Sequence, residues 1–183
     1  CVAGSYLCFV GMWSVPFLQT TQQMTKSAAA AHNMWALIGF SFGSLVLGRV
    51  SDFMRRRKGV MMAASFIFVL CWLPLLLGWR LQGMWGYALF MLMGLSVSGF
   101  TLTWALVKEL NSSVLSGTAT SIVNAGAFLL TALLQPFLGW ILDQHLQNKP
   151  QGYMMALGVL LGVACLGMIC TFLCKESYAQ QMG

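Results

Sequence analysis

The sequence predicts an all-α polytopic membrane protein with six transmembrane helices, and three observations carry that prediction. Only 8% of the 183 residues are charged, against about 25% in soluble domains, while 58% are hydrophobic and the mean hydropathy is +0.77. The apolar residues fall into long runs separated by short polar turns, each run near the roughly 20 residues that cross a bilayer as a helix. Five of the ten Lys and Arg residues sit in one turn, residues 48–58, and a short loop rich in such residues stays on the cytoplasmic side. Six spans use roughly 120 residues. The whole chain, 1–183, is therefore expected to be one six-helix membrane domain.

The spans follow in order. The first, 1–22, holds Gly4, Gly11 and Pro16, which a span tolerates because neighbouring helices satisfy the freed backbone groups. A polar stretch, 20–31, with Lys26 makes the first external loop, and the second span, 32–50, opens on His32 and Asn33 as a solvated cap. The third, 59–79, contains Pro74 and closes at Gly78, and a tight turn at 80–83 leads into the fourth, 84–107. Beyond Lys108 and Glu109, the side chains of Asn111, Ser112 and Ser113 are placed to accept from the orphan amides of a new helix. That fifth span, 113–142, has Pro136 near its far end. A loop at 143–151, with His145, Lys149 and a turn at Pro150, precedes the sixth span, 153–174, and the tail.

Orientation follows from the basic residues. Placing the 48–58 turn in the cytoplasm puts Lys108 and Lys175 there too, seven cations in all, and leaves only Lys26, Arg80 and Lys149 outside. Both chain ends are then cytoplasmic. Small residues recur four apart at Gly39 and Gly43, Ser44 and Gly48, Gly94 and Ser98, Gly117 and Ser121, and Gly158 and Gly162. Such pairs let helix backbones approach closely in lipid, where contact and hydrogen bonding replace the hydrophobic drive.

Other classes of function are disfavoured. The +6 net charge lies at the membrane edges, where topology accounts for it, so nucleic acid is not an expected partner. The six cysteines, Cys1, Cys8, Cys71, Cys165, Cys170 and Cys174, lie in apolar runs or at their edges without metal-binding spacing, and neither a metal nor a cofactor is expected. There is no Ser-His-Asp set, no paired carboxylates within one plausible cavity, no phosphate-cradling glycine loop and no metal cluster, so an enzyme is not expected. The chain opens on Cys1 inside an apolar run, as a segment of a longer polypeptide would.

Gly48, Asp52 and the basic run after it resemble the loop signature of the major facilitator superfamily of transporters. The signature has an Arg and, two residues later, a Gly where this chain has Phe53 and Arg55, as in degenerate copies found in the second half of such transporters. Glu109-Leu110-Asn111, Gly117-Thr118-Ala119-Thr120, Asn124 and the stretch from Gln135 to Asp143 are similar to the penultimate helix of bacterial permeases of that family. The resemblance implies the carboxy-terminal six-helix half of a major-facilitator fold, built from inverted three-helix repeats. Solute would be held near the midplane against a missing amino-terminal half. The first and fourth spans would line the cavity, the second and fifth would face the other half, and the third and sixth would meet lipid.

The same resemblance assigns gating to Gly48, Asp52 and Arg56, with Asp52 meeting a helix amino end in the opposite half. The local alternative pairs Asp52 with Arg49, Arg55 or Arg56 at the interface, worth about 0–1 kcal/mol. Candidate solute contacts are Tyr6, Trp13, Gln19 and Thr20 on the first span and Ser96, Ser98, Thr101, Thr103 and Trp104 on the fourth. Trp13 and Gln19 are about 600° apart around an ideal helix and share a cavity only if Pro16 bends it. Asn124, mid-way along the fifth span, marks an interhelical hydrogen bond, the favoured reading, or a cavity wall. No ionisable residue lies in the central part of any span, so a proton-carrying carboxylate, where coupling uses one, belongs to the other half.

The expected function is secondary active transport of a small organic solute, a nutrient such as an amino acid or organic acid, by alternating access in a bacterial inner membrane. Two alternatives stay open: a self-associating half-transporter, and a membrane scaffold subunit that moves nothing.

Overall fold

The computed structural model describes residues 1–112 and 114–178. Six helices long and apolar enough to cross a membrane run Val2–Gln22 (α1), Lys26–Met54 (α2), Arg57–Leu76 (α3), Met84–Leu110 (α4), Ser116–Gln144 (α5) and Lys149–Leu173 (α6). No strand occurs among the described residues.

The six fall into two sets of three that share a pattern. The first helix of each set is interrupted: α1 by a π-helical turn at Phe9–Trp13, α4 by a 3-10 turn at Ser98–Thr101. The second helix of each, α2 and α5, is 29 residues long and is the least buried in its set. Three crossings separate matching helices, so the second set runs inverted relative to the first. The sets interlock, with α2 lying along α4, α3 along α6 and α1 along α5.

Glycine makes the closest of these contacts possible. A Cβ on Gly94 would fall on the Ala36 carbonyl, one on Gly39 on the Met91 carbonyl, and one on Gly43 would come 2.7 Å from the Leu95 carbonyl. Backbone therefore meets backbone between α2 and α4, and the predicted pairs Gly39/Gly43 and Gly94/Ser98 face each other. Gly48, Gly117, Gly158 and Gly162 have open space around them, so the other pairs expected to pack do not do so against the described residues. The core beside this seam is aromatic: Phe9 and Trp72 ring centres lie 5.1 Å apart and Phe68 and Trp72 5.8 Å apart, edge to face.

Several element ends differ from expectation. The first external loop shrinks to 23–25, because Thr25 Oγ1 accepts from the Ala28 amide (3.2 Å) and the alanine-rich stretch after it continues α2 outward. Asn111 does not cap α5. Its Nδ2 donates to the Val107 carbonyl (2.8 Å) and so completes the end of α4, while the Ser112 backbone carbonyl accepts from Leu115 and Ser116, both at 3.0 Å. Ser113 lies outside the described residues. Helix α6 begins at Lys149, with Asn148 as its cap and Pro150 in the first turn, where no amide is needed. Gly78, at φ +66°, takes the left-handed position after α3, and the Trp79 amide then reaches the Pro74 carbonyl (3.0 Å).

Candidate solute cleft and gating cluster

The basic turn is closed by a left-handed residue. Arg55, at φ +50°, ends α2, and the Arg56 amide donates back to the Ser51 carbonyl (3.3 Å). This is the position where the loop signature carries glycine, and the backbone conformation explains why. The chain then re-enters a helix so that Arg57 points back into the bundle. Its Nη1 donates to the Asp52 carboxylate and to Ser51 Oγ (3.2 Å), and its Nη2 and Nε donate to Glu109 (2.9 and 3.2 Å). Glu176 Oε1 accepts from the Arg57 and Lys58 amides (2.8 and 3.1 Å), where a carboxylate satisfies the orphan donors at the start of α3. The Ser177 hydroxyl donates to Glu109. Three of the chain's four acids thus converge on one arginine and one helix end.

Of the three expected gating residues, Asp52 is in this cluster. Gly48 stands one helical turn before it, and Arg56 is exposed outside it. Both ion pairs found among the described residues belong to Arg57, so the local partner of Asp52 is not Arg49, Arg55 or Arg56. Glu109 and Glu176 were not foreseen. Their scarcity was the available signal, since with four acids in the chain any acid at the end of an apolar run beside a basic turn invites pairing.

A cleft of about 510 Å³ opens near the same end of the bundle. Its walls include Ser65 of α3, Gly99, Thr103 and Trp104 of α4, and Asn124 and Gly126 of α5. Among the described residues, no acidic or basic side chain lines it. The Trp104 ring stands edge to face with Phe100 at 5.4 Å, and its indole N–H, like those of Trp13 and Trp72, is buried without a hydrogen-bond partner among the described residues. Asn124 is exposed on this wall and its side chain makes no hydrogen bond among the described residues, so the interhelical bond favoured from the sequence is not formed. The cleft follows directly on the 3-10 interruption of α4, which supplies Gly99 and Phe100.

A family model described as Major Facilitator Superfamily matches residues 1–181. The chain belongs to the major facilitator superfamily. It resembles the solved structure of the proton:xylose symporter XylE, bound to 6-bromo-6-deoxy-D-glucose, with a TM-score of 0.73 at 18% identity. That likeness covers 96% of this chain but only 42% of the symporter, and at such identity it is a likeness of fold. No curated protein matches the sequence.

Among the remaining candidates of this facilitator chain, several serve packing. The buried Tyr6 hydroxyl donates to the Ala36 carbonyl (3.1 Å), and Ser98 Oγ donates to its own helix at Leu95 (2.7 Å), pressed against Gly43. Thr101 bonds the Ser98 carbonyl (2.8 Å) and Ser96, also buried, the Met93 carbonyl (3.0 Å). Trp13 closes the π-helical turn of α1 and its ring reaches Gly139 of α5. Gln19 is exposed and Thr20 half-buried, both toward the far end of α1 and away from the cleft. The candidates that the cleft gathers are therefore Thr103, Trp104 and Asn124.

Of two residues read as surface caps, one is buried in the bundle and the other, half-buried, bonds across it. His32 is buried, with Nδ1 2.8 Å from the Ala28 carbonyl and Nε2 3.0 Å from the Leu81 carbonyl. Asn33 bridges the interrupted α1: Ser14 Oγ donates to its Oδ1 (2.6 Å), and its Nδ2 donates to the Val10 carbonyl inside the π-helical turn (2.9 Å). The amide thereby satisfies a break in α1 that Pro16, lacking an N–H, helps to open.

Proposed function

We propose that this chain is the carboxy-terminal half of a secondary active transporter and that it presents the Trp104–Asn124 wall to a small, uncharged, hydroxyl-bearing solute. One observation carries the reading: α1 and α4, the matching first helices of two inverted repeats, are both broken near mid-length. Interrupted spans at corresponding places of inverted repeats mark transporter binding sites. The cleft adjoins the second of these breaks, and the little-buried α2 and α5 offer the surfaces on which an amino-terminal half would close. That the chain spans 42% of the proton:xylose symporter supports such a missing half.

The solute class follows from the lining. An aromatic ring, a free amide and hydroxyls suit a neutral polyol or sugar, and the sugar ligand of the symporter agrees with this. An amino acid or organic acid requires a counter-charge from the other half, which would also supply any proton-carrying carboxylate. The basic turn and both chain ends lie in the cytoplasm of a bacterial inner-membrane protein on this reading. Asp52, exposed over 64% of its side chain, keeps carboxylate surface for a helix amino end of the other half. Asp52→Asn then slows transport and leaves solute binding intact.

Thermal-shift screening of the full-length protein against sugars, polyols, amino acids and carboxylates tests the assignment. A solute at 100 times its dissociation constant adds about 2.7 kcal/mol. Stabilisation by a neutral hydroxylated compound is expected. Stabilisation by carboxylates alone would reject the solute class, and a folded protein that no solute stabilises would favour the scaffold.

A further inference from the structure

We propose that the outer groove between α3 and α6 is a binding site for an anionic phospholipid. The inference depends on the chain being embedded in a membrane and not on what it transports. The groove, about 470 Å³, is lined by Met62, Ala63 and Phe66 of α3 and by Met168, Ile169 and Phe172 of α6. Its hollow comes from small residues on one helix face: Ala63 sits between Met62 and Phe66, and Gly59, one turn nearer the basic end, has no side chain at all. The volume falls within the roughly 300–1,000 Å³ of ligand clefts.

The groove has a charged mouth. Lys58 Nζ stands 5.2 Å from the centre of the Phe172 ring, so an ammonium group sits on the last aromatic of the apolar wall. Arg55 and Arg56 precede Lys58 in the chain and Lys175 follows Phe172 by three residues, and all three are exposed. None of these four cations is in an ion pair among the described residues, where both pairs belong to Arg57. The nearby acid, Glu176, spends Oε1 on the Arg57, Lys58 and Ser177 amides. The rim is thus positive where the groove meets the membrane surface, and apolar from there inward.

An occupant must match both parts. A free phosphate satisfies only the cations, and a zwitterionic lipid leaves them without net negative charge. An acyl chain in the groove with an anionic headgroup against Lys58 satisfies the two together, as basic pockets between spans do for acidic lipids.

The test uses the full-length protein, delipidated in detergent and re-exposed to phosphatidylglycerol or phosphatidylcholine, with retained lipid read by native mass spectrometry. Phosphatidylglycerol is expected to be retained over phosphatidylcholine by about fivefold. Lys58→Gln brings the ratio towards one, and Ala63→Phe, which fills the groove, lowers retention of both lipids. Should Ala63→Phe lose its wild-type melting temperature, Ala63→Leu takes its place. Equal retention of the two lipids by the wild type, an unchanged preference in Lys58→Gln, or full retention in a folded groove-filled variant overturns the proposal. Displacement of bound phosphatidylglycerol by glycerol phosphate alone does so too, because the groove would then play no part.

Discussion

Nε2 of His32 lies 3.0 Å from the carbonyl oxygen of Leu81, across 49 residues of chain. The approach is possible because Gly86 has no side chain: a Cβ there would fall on the Leu81 carbonyl. Gln22 holds the same loop from the other side, its Nε2 donating to the Trp79 carbonyl (3.0 Å) and its Oε1 accepting from the Leu81 amide (3.3 Å). The short connection between α3 and α4 is thereby strapped to both α1 and α2.

Replacing His32 with Phe keeps the ring contacts with Tyr87 and Phe90 but strips the Leu81 carbonyl of its partner. A loss of about 1–3 kcal/mol is expected, together with faster hydrogen exchange over residues 77–83. Gln22→Ala gives a smaller loss, and because both side chains restrain one loop the double variant falls short of the sum. Unchanged exchange in His32→Phe would show that the strap restrains nothing.

In the charged cluster, exposure decides the ranking. Arg57 and Glu109 are 11% and 17% exposed at their side chains, whereas Asp52 is 64% exposed. Glu109→Gln leaves a guanidinium largely enclosed without its main counter-charge, for which the cost approaches the roughly 3–5 kcal/mol of a broken buried pair. Asp52→Asn costs less than about 1 kcal/mol of stability. Melting temperatures of the two variants check this, and the reverse order would mean that Asp52, not Glu109, anchors Arg57.

Arg55 occupies a left-handed conformation at φ +50° that costs an L-residue roughly 1–2 kcal/mol. Arg55→Gly relieves it and restores the residue of the loop signature, so a gain of about 1 kcal/mol is predicted after allowing for the freer unfolded chain. A melting temperature that falls would indicate that the Arg55 side chain supplies more than the strain removes.

Gly94→Ala drives a methyl group into the Ala36 carbonyl at the α2–α4 seam, and folded yield is expected to collapse. Gly162→Ala meets open space and should leave yield unchanged or raise stability by up to about 1 kcal/mol. Size-exclusion chromatography of the two variants distinguishes them. Equal yields would contradict the backbone-to-backbone packing.

The spans and their order were legible because bilayer-length apolar runs leave few ways to be read. The spacing of Gly39, Gly43 and Gly94 marked them as packing residues, but which helices they join was not legible, since the same spacing at Ser44/Gly48, Gly117/Ser121 and Gly158/Gly162 meets open space. What escaped was burial at the ends of the runs. His32 and Asn33 begin a run after a polar stretch and look solvated, and only Gly86 and the returning Leu81 loop enclose the first, as the π-helical turn of α1 claims the second. Arg57 could not be told from its neighbours for a related reason. In a row of consecutive cations, the left-handed turn at Arg55 decides which one faces inward, and nothing in residue type records it. Trp104 and Asn124 were recognisable as candidates, but Tyr6 and Ser98 had the same credentials and proved to be packing, because spans that are apolar all round give no periodicity to separate the two.

That the Trp104–Asn124 wall contacts solute is checked by solute uptake through the full-length protein reconstituted in proteoliposomes. Asn124→Ala and Trp104→Phe are expected to lower uptake of the stabilising neutral solute at least about tenfold, a loss of roughly 1.4 kcal/mol, while melting temperatures stay at the wild-type value. Undiminished uptake in both folded variants would contradict it.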